Sequence, residues 1–180
     1  SKDVDFALLA STFSALRLDA PPRLVLLDAR TLADAHFPPT PPNADTLILG
    51  VDSREAALQV KNVLLAVYPE SHEVKIVEGN ETRNTNISAL DSFSNYSAQT
   101  CVFVPPLGEG TSFESFAEIV AHLRAPDGCL WDKEQTHQSL RKHLLEESYE
   151  ALEAIDSGDF ASMREEFGDL LLQIVLHAQI

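Results

Sequence analysis

One stretch of the sequence, EFGDLLLQIVL at residues 166–176, decides how the C-terminal part of the chain folds. Its apolar residues occupy every side of an α-helix, and this pattern predicts a buried helix. Asp169 shares a stripe with Leu172 and Leu176 on that helix. No Lys or Arg follows Arg164 to pair with it, and a buried carboxylate is costly unless it is paired or metal-bound. The pattern therefore predicts an acidic site within a helical bundle.

A second acidic stretch, EESYE at residues 146–150, precedes this helix. At about 100° per residue, its three glutamates point to neighbouring sides of one helix. Ser157-Gly158 predicts a short turn, so the two helices should run antiparallel with their acids facing each other. Converging carboxylates have raised pKa values unless a divalent cation compensates their charge. Hard oxygen ligands favour Mg²⁺ in such a site, with Mn²⁺ as a possible substitute.

The same glutamates are also compatible with an ordinary solvated helix face. Leu145, Leu152 and Ile155 occupy the opposite side of their helix, and for residues 146–153 alone the two interpretations carry equal weight. The buried character predicted for the next helix favours the metal site. Gly168 within that helix costs about 1 kcal/mol relative to Ala, which predicts close approach by another helix or a ligand.

The fold class predicted for the whole chain is α+β, in two parts. Residues 1–105 form an α/β domain with a mixed sheet, residues 106–111 a linker, and residues 112–180 an all-α bundle. Residues 80–100, rich in Asn, Ser and Thr, are predicted to be loops, as is the proline-rich segment 36–42. The predicted N-terminal helices are 4–18 and 54–68, and the predicted strands are 24–27, 46–51, 72–77 and 101–104.

Short connections around the helix at 54–68 indicate an α/β unit, whose flanking strands we expect to be adjacent and parallel. In the C-terminal part we predict a helix over 113–123, capped by Thr111 or Ser112, and two longer helices over 136–155 and from 159 or 160 to the end. The chain begins at Ser1 and ends in mid-helix at Ile180. We therefore expect a fragment with a truncated bundle.

Composition narrows the functional classes. Apolar residues make up 44% and charged residues 23% of the 180 residues, which is typical of a folded globular protein. The net charge of −15 argues against nucleic-acid binding, which needs a basic surface. Cys101 and Cys129 have no ligand-spaced partners, and no apolar run reaches the length of a membrane span. We expect a cytoplasmic protein without a membrane segment.

Three motifs occur in order: GCLWDKEQTH at 128–137, LLEESYE at 144–150 and EEFGDLL at 165–171. Together they resemble the MazG-type nucleoside triphosphate pyrophosphohydrolases over about residues 112–180. That family is all-α, oligomeric and Mg²⁺-dependent, and it cleaves nucleoside triphosphates to the monophosphate and pyrophosphate. The resemblance implies an enzyme of this kind. It also implies four metal ligands and a residue that activates the attacking water: Glu147, Glu150, Glu166 and Asp169 for the metal, and Glu146 for the water.

Trp131 and Lys133 of the first motif are candidate substrate-binding residues. Trp131 could stack on a base or close the core as a buried aromatic, and the core role carries more weight. Lys133 could reach a phosphate or lie in solvent, and solvent exposure carries more weight. Leu130 stands where the family usually has Pro. The family domain also continues through another helix whose basic residues help bind the phosphates.

Residues 12–29, 53–61 and 68–74 more weakly resemble the second half of a tetrapyrrole methylase, a domain found fused ahead of MazG domains. The glycine-rich S-adenosylmethionine loops of such a methylase are absent from this sequence, so no methyl transfer is expected. Two alternatives to the enzyme remain open. The chain could be a non-catalytic oligomerisation or regulatory module of a methylase-MazG fusion, or its first domain could retain tetrapyrrole binding.

Overall fold

The computed structural model describes residues 6–17, 21, 23–108 and 110–180. Two compact units make up the chain: residues 1–112, here called the N-terminal unit, and residues 113–180, here called the helical unit. The predicted α+β arrangement is confirmed, because a mixed sheet lies in the first unit and helices alone in the described second unit. Residues 4, 5 and 18 of the first predicted helix lie outside the described residues.

The described part of the N-terminal unit contains a sheet of five strands in the order β1-β2-β5-β3-β4. β1 and β2 are parallel, whereas β5 is antiparallel to both β2 and β3, and β3 is antiparallel to β4. The strands are β1 Leu24–Asp28, β2 Asp45–Leu49, β3 Glu73–Glu78, β4 Glu81–Asn86 and β5 Thr100–Val104. The helices are α1 Phe6–Leu16 and α2 Arg54–Leu64.

The expectation that the strands flanking α2 are adjacent is wrong. β2 and β3 run in the same direction, but β5 lies between them and pairs with both. All five residues of β5 are buried, so this strand takes the sheet centre, where both of its faces are covered.

The prediction of loops over residues 80–100 is also wrong in part. Glu81–Asn86 forms β4, and Ile87–Ser92 forms a 3-10 turn. β4 lies at the sheet edge and exposes nearly all of its side chains. Its polar sequence is compatible with a strand because the pairing with β3 uses backbone groups alone.

Two apolar clusters cover the two faces of the sheet. On one face, α2 buries Ala57, Val60 and Val63 together with Val74 and other residues of the sheet. Ser53 begins α2, since its hydroxyl accepts a hydrogen bond of 3.1 Å from the Ala56 amide.

On the other face, α1 packs Leu9 and Leu16 against Leu47, Val77 and Phe103.

Helix α2 ends as an α-helix at Leu64, four residues before the predicted end at Tyr68. Turn bonds continue over those residues, including one of 2.8 Å from the Tyr68 amide to the Leu64 carbonyl, before Pro69.

The helical unit has a small core made by three helices. Val120, Leu140, Val175 and Leu176 are buried there together. The helices of the unit are α3 Phe113–Leu123, α4 Leu130–Glu134, α5 His137–Ser157 and α6 Phe160–Gln179. The three longer helices confirm the predictions, whereas the short α4 was not predicted. No helix in the described ranges is both long and apolar enough to span a bilayer.

The expectation that α6 is buried on all sides is wrong. Phe167, Leu171 and Ile174 are 48%, 39% and 54% exposed. α6 packs one face on α3 and α5, where Val175 and Leu176 are buried. In this chain the opposite face of α6 is an exposed apolar surface.

Candidate metal centre

A helical hairpin positions the acidic residues. Thr136 begins α5 with a reciprocal cap: its hydroxyl accepts from the Ser139 amide at 3.1 Å, and the Ser139 hydroxyl accepts from the Thr136 amide at 3.0 Å. Gly158 ends α5 with a positive φ of 70°, a conformation that glycine adopts without steric cost. Asp159 then begins α6 by accepting a 2.9 Å bond from the Ala161 amide. These local signals place the turn between the two acidic stretches.

The far end of the hairpin is joined by two histidines that sequence reasoning left without a role. The Nδ1 atoms of His137 and His177 lie 2.9 Å apart, and the two rings are within 7° of parallel. His137 begins α5 and His177 lies near the end of α6. This contact confirms that the two helices run antiparallel.

Three predicted metal ligands converge between α5 and α6. Glu147, Glu150 and Glu166, here called the carboxylate trio, each offer an oxygen, and the three oxygens lie within 4.8 Å of one another. Opposite ligands of an octahedral Mg²⁺ are about 4.2 Å apart, so the spacing is close to what one cation requires. Two of the three come from α5 and the third from α6. The site therefore forms only when the hairpin is folded.

The charges of the trio act on one another. The pKa of Glu147 is raised, first by its partial burial and then by the charges of Glu150, Asp169 and Glu166. The pKa of Glu166 is also raised, by desolvation first and then by Glu150, Glu165 and Asp169. Close carboxylates resist simultaneous ionisation, and a bound divalent cation would relieve this repulsion. The residues present therefore fit a hard divalent cation.

Asp169, the fourth predicted ligand, lies beside the trio but is not part of it. Its charge contributes to the raised pKa of both Glu147 and Glu166, which shows that it is close to them. However, its side chain is exposed, as is that of Glu150. The argument from a buried carboxylate is therefore wrong, and repulsion among partly exposed acids takes its place.

Gly168 also differs from its prediction. A Cβ placed on it would meet no described atom within 4 Å, so no neighbouring element of this chain approaches closely there.

The solvated-face interpretation places the large apolar residues of α5 in the core, on the side opposite the acids. The structure shows these apolar residues exposed instead. Leu145, Leu152 and Ile155 are 58%, 55% and 48% exposed, whereas Ala151 and Ala154 are buried. The buried alanines lie one turn after Glu147 and Glu150, so the α5 face that carries these two glutamates is the one near Glu166 of α6, and the large apolar residues are left exposed.

Glu146, the predicted catalytic residue, is not part of the trio and forms an ion pair with a lysine on its own helix. Its carboxylate pairs with the Lys142 Nζ at 2.9 Å and with the His143 Nδ1 at 3.4 Å. Lys142, and to a smaller extent His143, lowers the pKa of Glu146. Glu146 is therefore ionised at neutral pH. Its i, i+4 spacing to Lys142 was visible in the sequence and could have revealed the pair.

Trp131 and Lys133 lie on the short helix α4. Trp131 is 52% exposed and lies edge-on to the His143 ring, with centroids 6.0 Å apart. The preferred interpretation of Trp131 as a buried core aromatic is therefore wrong. Lys133 donates a 2.7 Å hydrogen bond from its Nζ to the Pro126 carbonyl, which holds the loop before α4.

Comparison with known proteins finds a family model that matches this hairpin. Residues 135–180 match the MazG nucleotide pyrophosphohydrolase domain. The matched segment includes the carboxylate trio and Asp169, and it begins after Trp131 and Lys133.

Individual relatives extend the comparison. The chain is 38% identical over 183 residues to the uncharacterized protein YabN of Bacillus subtilis (strain 168), covering 97% of this chain and 37% of YabN. It is 54% identical over 71 residues to the nucleoside triphosphate pyrophosphohydrolase/pyrophosphatase MazG of Thermotoga maritima, covering 39% of this chain and 28% of that protein.

It is also 51% identical over 63 residues to the nucleoside triphosphate pyrophosphohydrolase of Escherichia coli (strain K12), covering 34% of this chain and 24% of the relative. The chain thus spans between 24% and 37% of the length of each of these proteins. The similarity to YabN extends over both units, whereas the MazG match lies within the helical unit.

Proposed function

We propose that the helical unit is a Mg²⁺-dependent nucleoside triphosphate pyrophosphohydrolase. The observation that carries the proposal is the convergence of the carboxylate trio across the α5–α6 hairpin, within the segment that matches the MazG domain. The protein has a net charge of −15, and carboxylates alone repel a triphosphate. A cation between the two is therefore needed for binding.

In this proposal Glu147, Glu150, Glu166 and Asp169 hold the cation, with Mn²⁺ as a substitute for Mg²⁺. The bound cation would neutralise the triphosphate and lower the pKa of the attacking water. Water attacks the α-phosphorus, and the bond from that phosphorus to the bridging oxygen of the β-phosphate breaks. Nucleoside monophosphate and pyrophosphate leave as products.

Glu146 accepts the proton of the attacking water in this proposal. Its carboxylate is ionised beside Lys142, so it is in the form that accepts a proton. The role requires the side chain to turn from Lys142 toward the trio, to which it is adjacent on α5.

We further propose that Trp131 and Lys133 contact the substrate. The exposed face of Trp131 is open to a base. Lys133 would exchange its hydrogen bond to Pro126 for a phosphate oxygen.

The test is pyrophosphate release from a panel of nucleoside triphosphates with Mg²⁺ and with EDTA. Glu150→Gln and Asp169→Asn should each lower the rate by at least about tenfold, because each removes a charged ligand at nearly constant volume. Glu153→Gln on the same helix is the matched control, since Glu153 is exposed and outside the trio. Equal rates in all three variants would refute the site assignment.

A second candidate function is a non-catalytic oligomerisation or regulatory module. The exposed apolar face of the hairpin favours it, because large apolar residues in one region of a surface mark an interface. The residues of this face are Leu145, Tyr149, Leu152, Ile155, Phe167, Leu171 and Ile174. We propose a second copy of the chain as the occupant, so that a homo-oligomer forms through the helical unit.

Analytical ultracentrifugation tests the oligomer. Leu152→Glu should shift the protein to the monomer, because it would bury a charge in the interface. Mg²⁺ titration by calorimetry then separates the two functions, since a purely structural module predicts no Mg²⁺ binding that depends on Glu150.

For the N-terminal unit, the resemblance to the second half of a tetrapyrrole methylase is a proposal supported by its mixed sheet. A shift in porphyrin absorbance on adding the protein would support retained tetrapyrrole binding, and an unchanged spectrum would count against it.

A further inference from the structure

We propose that the N-terminal unit binds a phosphate-bearing anion, without a metal ion, in a cavity between the end of α1 and the β3–β4 hairpin. The cavity has a volume of about 520 Å³, within the usual range of small-molecule sites. We call it the basic cavity. Its polar lining is formed by Ser14, Arg17, Lys75, Asn80, Thr82 and Asn84.

The position of Lys75 follows from the register of the sheet. Lys75 lies within β3, opposite Asn84 of β4 on one side and Phe103 of β5 on the other. Successive residues of a strand point to opposite faces, so Lys75 shares its face with Val77, which is buried beneath α1. An apolar residue at position 75 would extend that cluster. The half-buried residue Lys75 stands there instead, next to the end of α1.

Arg17 lines the cavity at the C-terminal end of α1. It follows the last residue of α1 and has a positive φ of 50°, a conformation usually taken by Gly or Asn. Its amide donates a 3.1 Å hydrogen bond to the Phe13 carbonyl, which closes the helix end. This left-handed residue follows α1 at the rim of the cavity.

The charge of the basic cavity contrasts with that of the chain. The chain has 28 acidic residues against 13 basic ones, yet the described lining contains Arg17 and Lys75 and no Asp or Glu. Neither cation forms an ion pair with a described carboxylate. A concave surface of one sign focuses its potential and attracts the opposite charge.

The remaining lining groups match the oxygens of a phosphate. The amide groups of Asn80 and Asn84 and the hydroxyls of Ser14 and Thr82 can all donate hydrogen bonds. Two cations surrounded by neutral donors suit a dianionic oxyanion, and Arg and Lys both bind phosphate strongly. The cavity is larger than one phosphate group requires, so a phosphorylated small molecule fits it better than free phosphate.

This site would act differently from the carboxylate trio. The trio needs a divalent cation before it can bind any phosphate, whereas the basic cavity supplies its own positive charge. Binding in the presence of a chelator therefore distinguishes the two. The inference does not depend on the proposed hydrolase activity.

The experiment is calorimetric titration of the full chain in excess EDTA with pyrophosphate, a nucleoside monophosphate, inorganic phosphate and citrate in separate arms. We expect the phosphate compounds to bind and the affinity to fall with added salt. Lys75→Met should weaken binding by at least about tenfold, because it keeps the length of the side chain and removes the charge. Arg17→Asn, which tolerates the left-handed conformation, should weaken it as well.

Two controls complete the design. Arg83→Met removes a cation from the opposite face of β4, where Arg83 lies 5.0 Å from the centroid of the Phe93 ring, and should leave the affinity unchanged. Glu150→Gln should also leave it unchanged. Absence of binding to the unmodified chain, unchanged affinity in Lys75→Met, loss of binding in Glu150→Gln, or equally tight binding of citrate would each overturn the proposal.

Discussion

Glu147→Gln tests the metal centre through protein stability, independently of turnover. The trio takes ligands from both α5 and α6, so the unfolded chain lacks the site and cation binding stabilises only the folded hairpin. At a Mg²⁺ concentration of ten times Kd, the expected stabilisation is about 1.4 kcal/mol. For a unit of this size, that raises the Tm by about 6 to 11 °C.

The variant should lose most of this gain. A tenfold loss of affinity leaves the same Mg²⁺ concentration near Kd, where the stabilisation is only about 0.4 kcal/mol. In EDTA we expect no loss of stability from this substitution. Glu147→Gln should be at least as stable as the unmodified chain, because it removes one charge from a cluster of carboxylates that repel one another.

Thermal unfolding followed by circular dichroism, with and without Mg²⁺, measures both effects. Glu153→Gln provides the comparison, since it removes the same charge from an exposed position on α5. An equal Mg²⁺-induced shift in Glu147→Gln and Glu153→Gln would show that the trio binds no cation.

Three further predictions concern pH and packing. The pKa of Glu147 in the folded state is raised. In EDTA, the stabilisation from protonated Glu147 is therefore complete below the ordinary glutamate pKa of about 4.3 and is lost as pH rises through the raised pKa. Over the same pH window, the affinity for Mg²⁺, measured by calorimetry, should fall as pH falls. Leu140→Ala removes a fully buried side chain from the helical core and should cost about 2 to 5 kcal/mol in denaturant unfolding. Asp91→Asn breaks the 2.8 Å pair with Lys61 and should cost about 1 kcal/mol at neutral pH. Because Lys61 lowers the pKa of Asp91, this difference should vanish as pH falls through that lowered pKa, and a difference that persists in acid would contradict the ion-pair explanation.

Sequence reasoning succeeded where the signals are local. Thr136, Gly158 and Asp159 mark helix ends through hydrogen bonds or a backbone conformation within a few residues, and these ends are where the pattern predicts them to within two residues. It failed for β4, whose polar sequence contains no apolar alternation. That strand forms because β3 offers an unpaired edge, which is a property of the assembled sheet.

In the candidate site, too, the local features could be predicted from the sequence and the exposure of the side chains could not. The spacing of Glu147 and Glu150 on one helix, and the turn that brings Glu166 back toward them, could be predicted. The exposure of Asp169 and Trp131 could not. Burial depends on what packs against a residue, and apolar residues on every side of a helix such as α6 do not indicate how many of its faces are covered by the same chain.

The amino-acid sequence alone therefore determined the helical hairpin and its acidic content, because caps, turns and i, i+3 spacing act over short distances. Only the tertiary structure decided which way α5 faces. Ala151 and Ala154 are buried, each one turn after Glu147 and Glu150 on the same face of α5, whereas Leu145, Leu152 and Ile155 are exposed. The rotation of a helix about its axis depends on the residues packed against it, and these come from other parts of the chain.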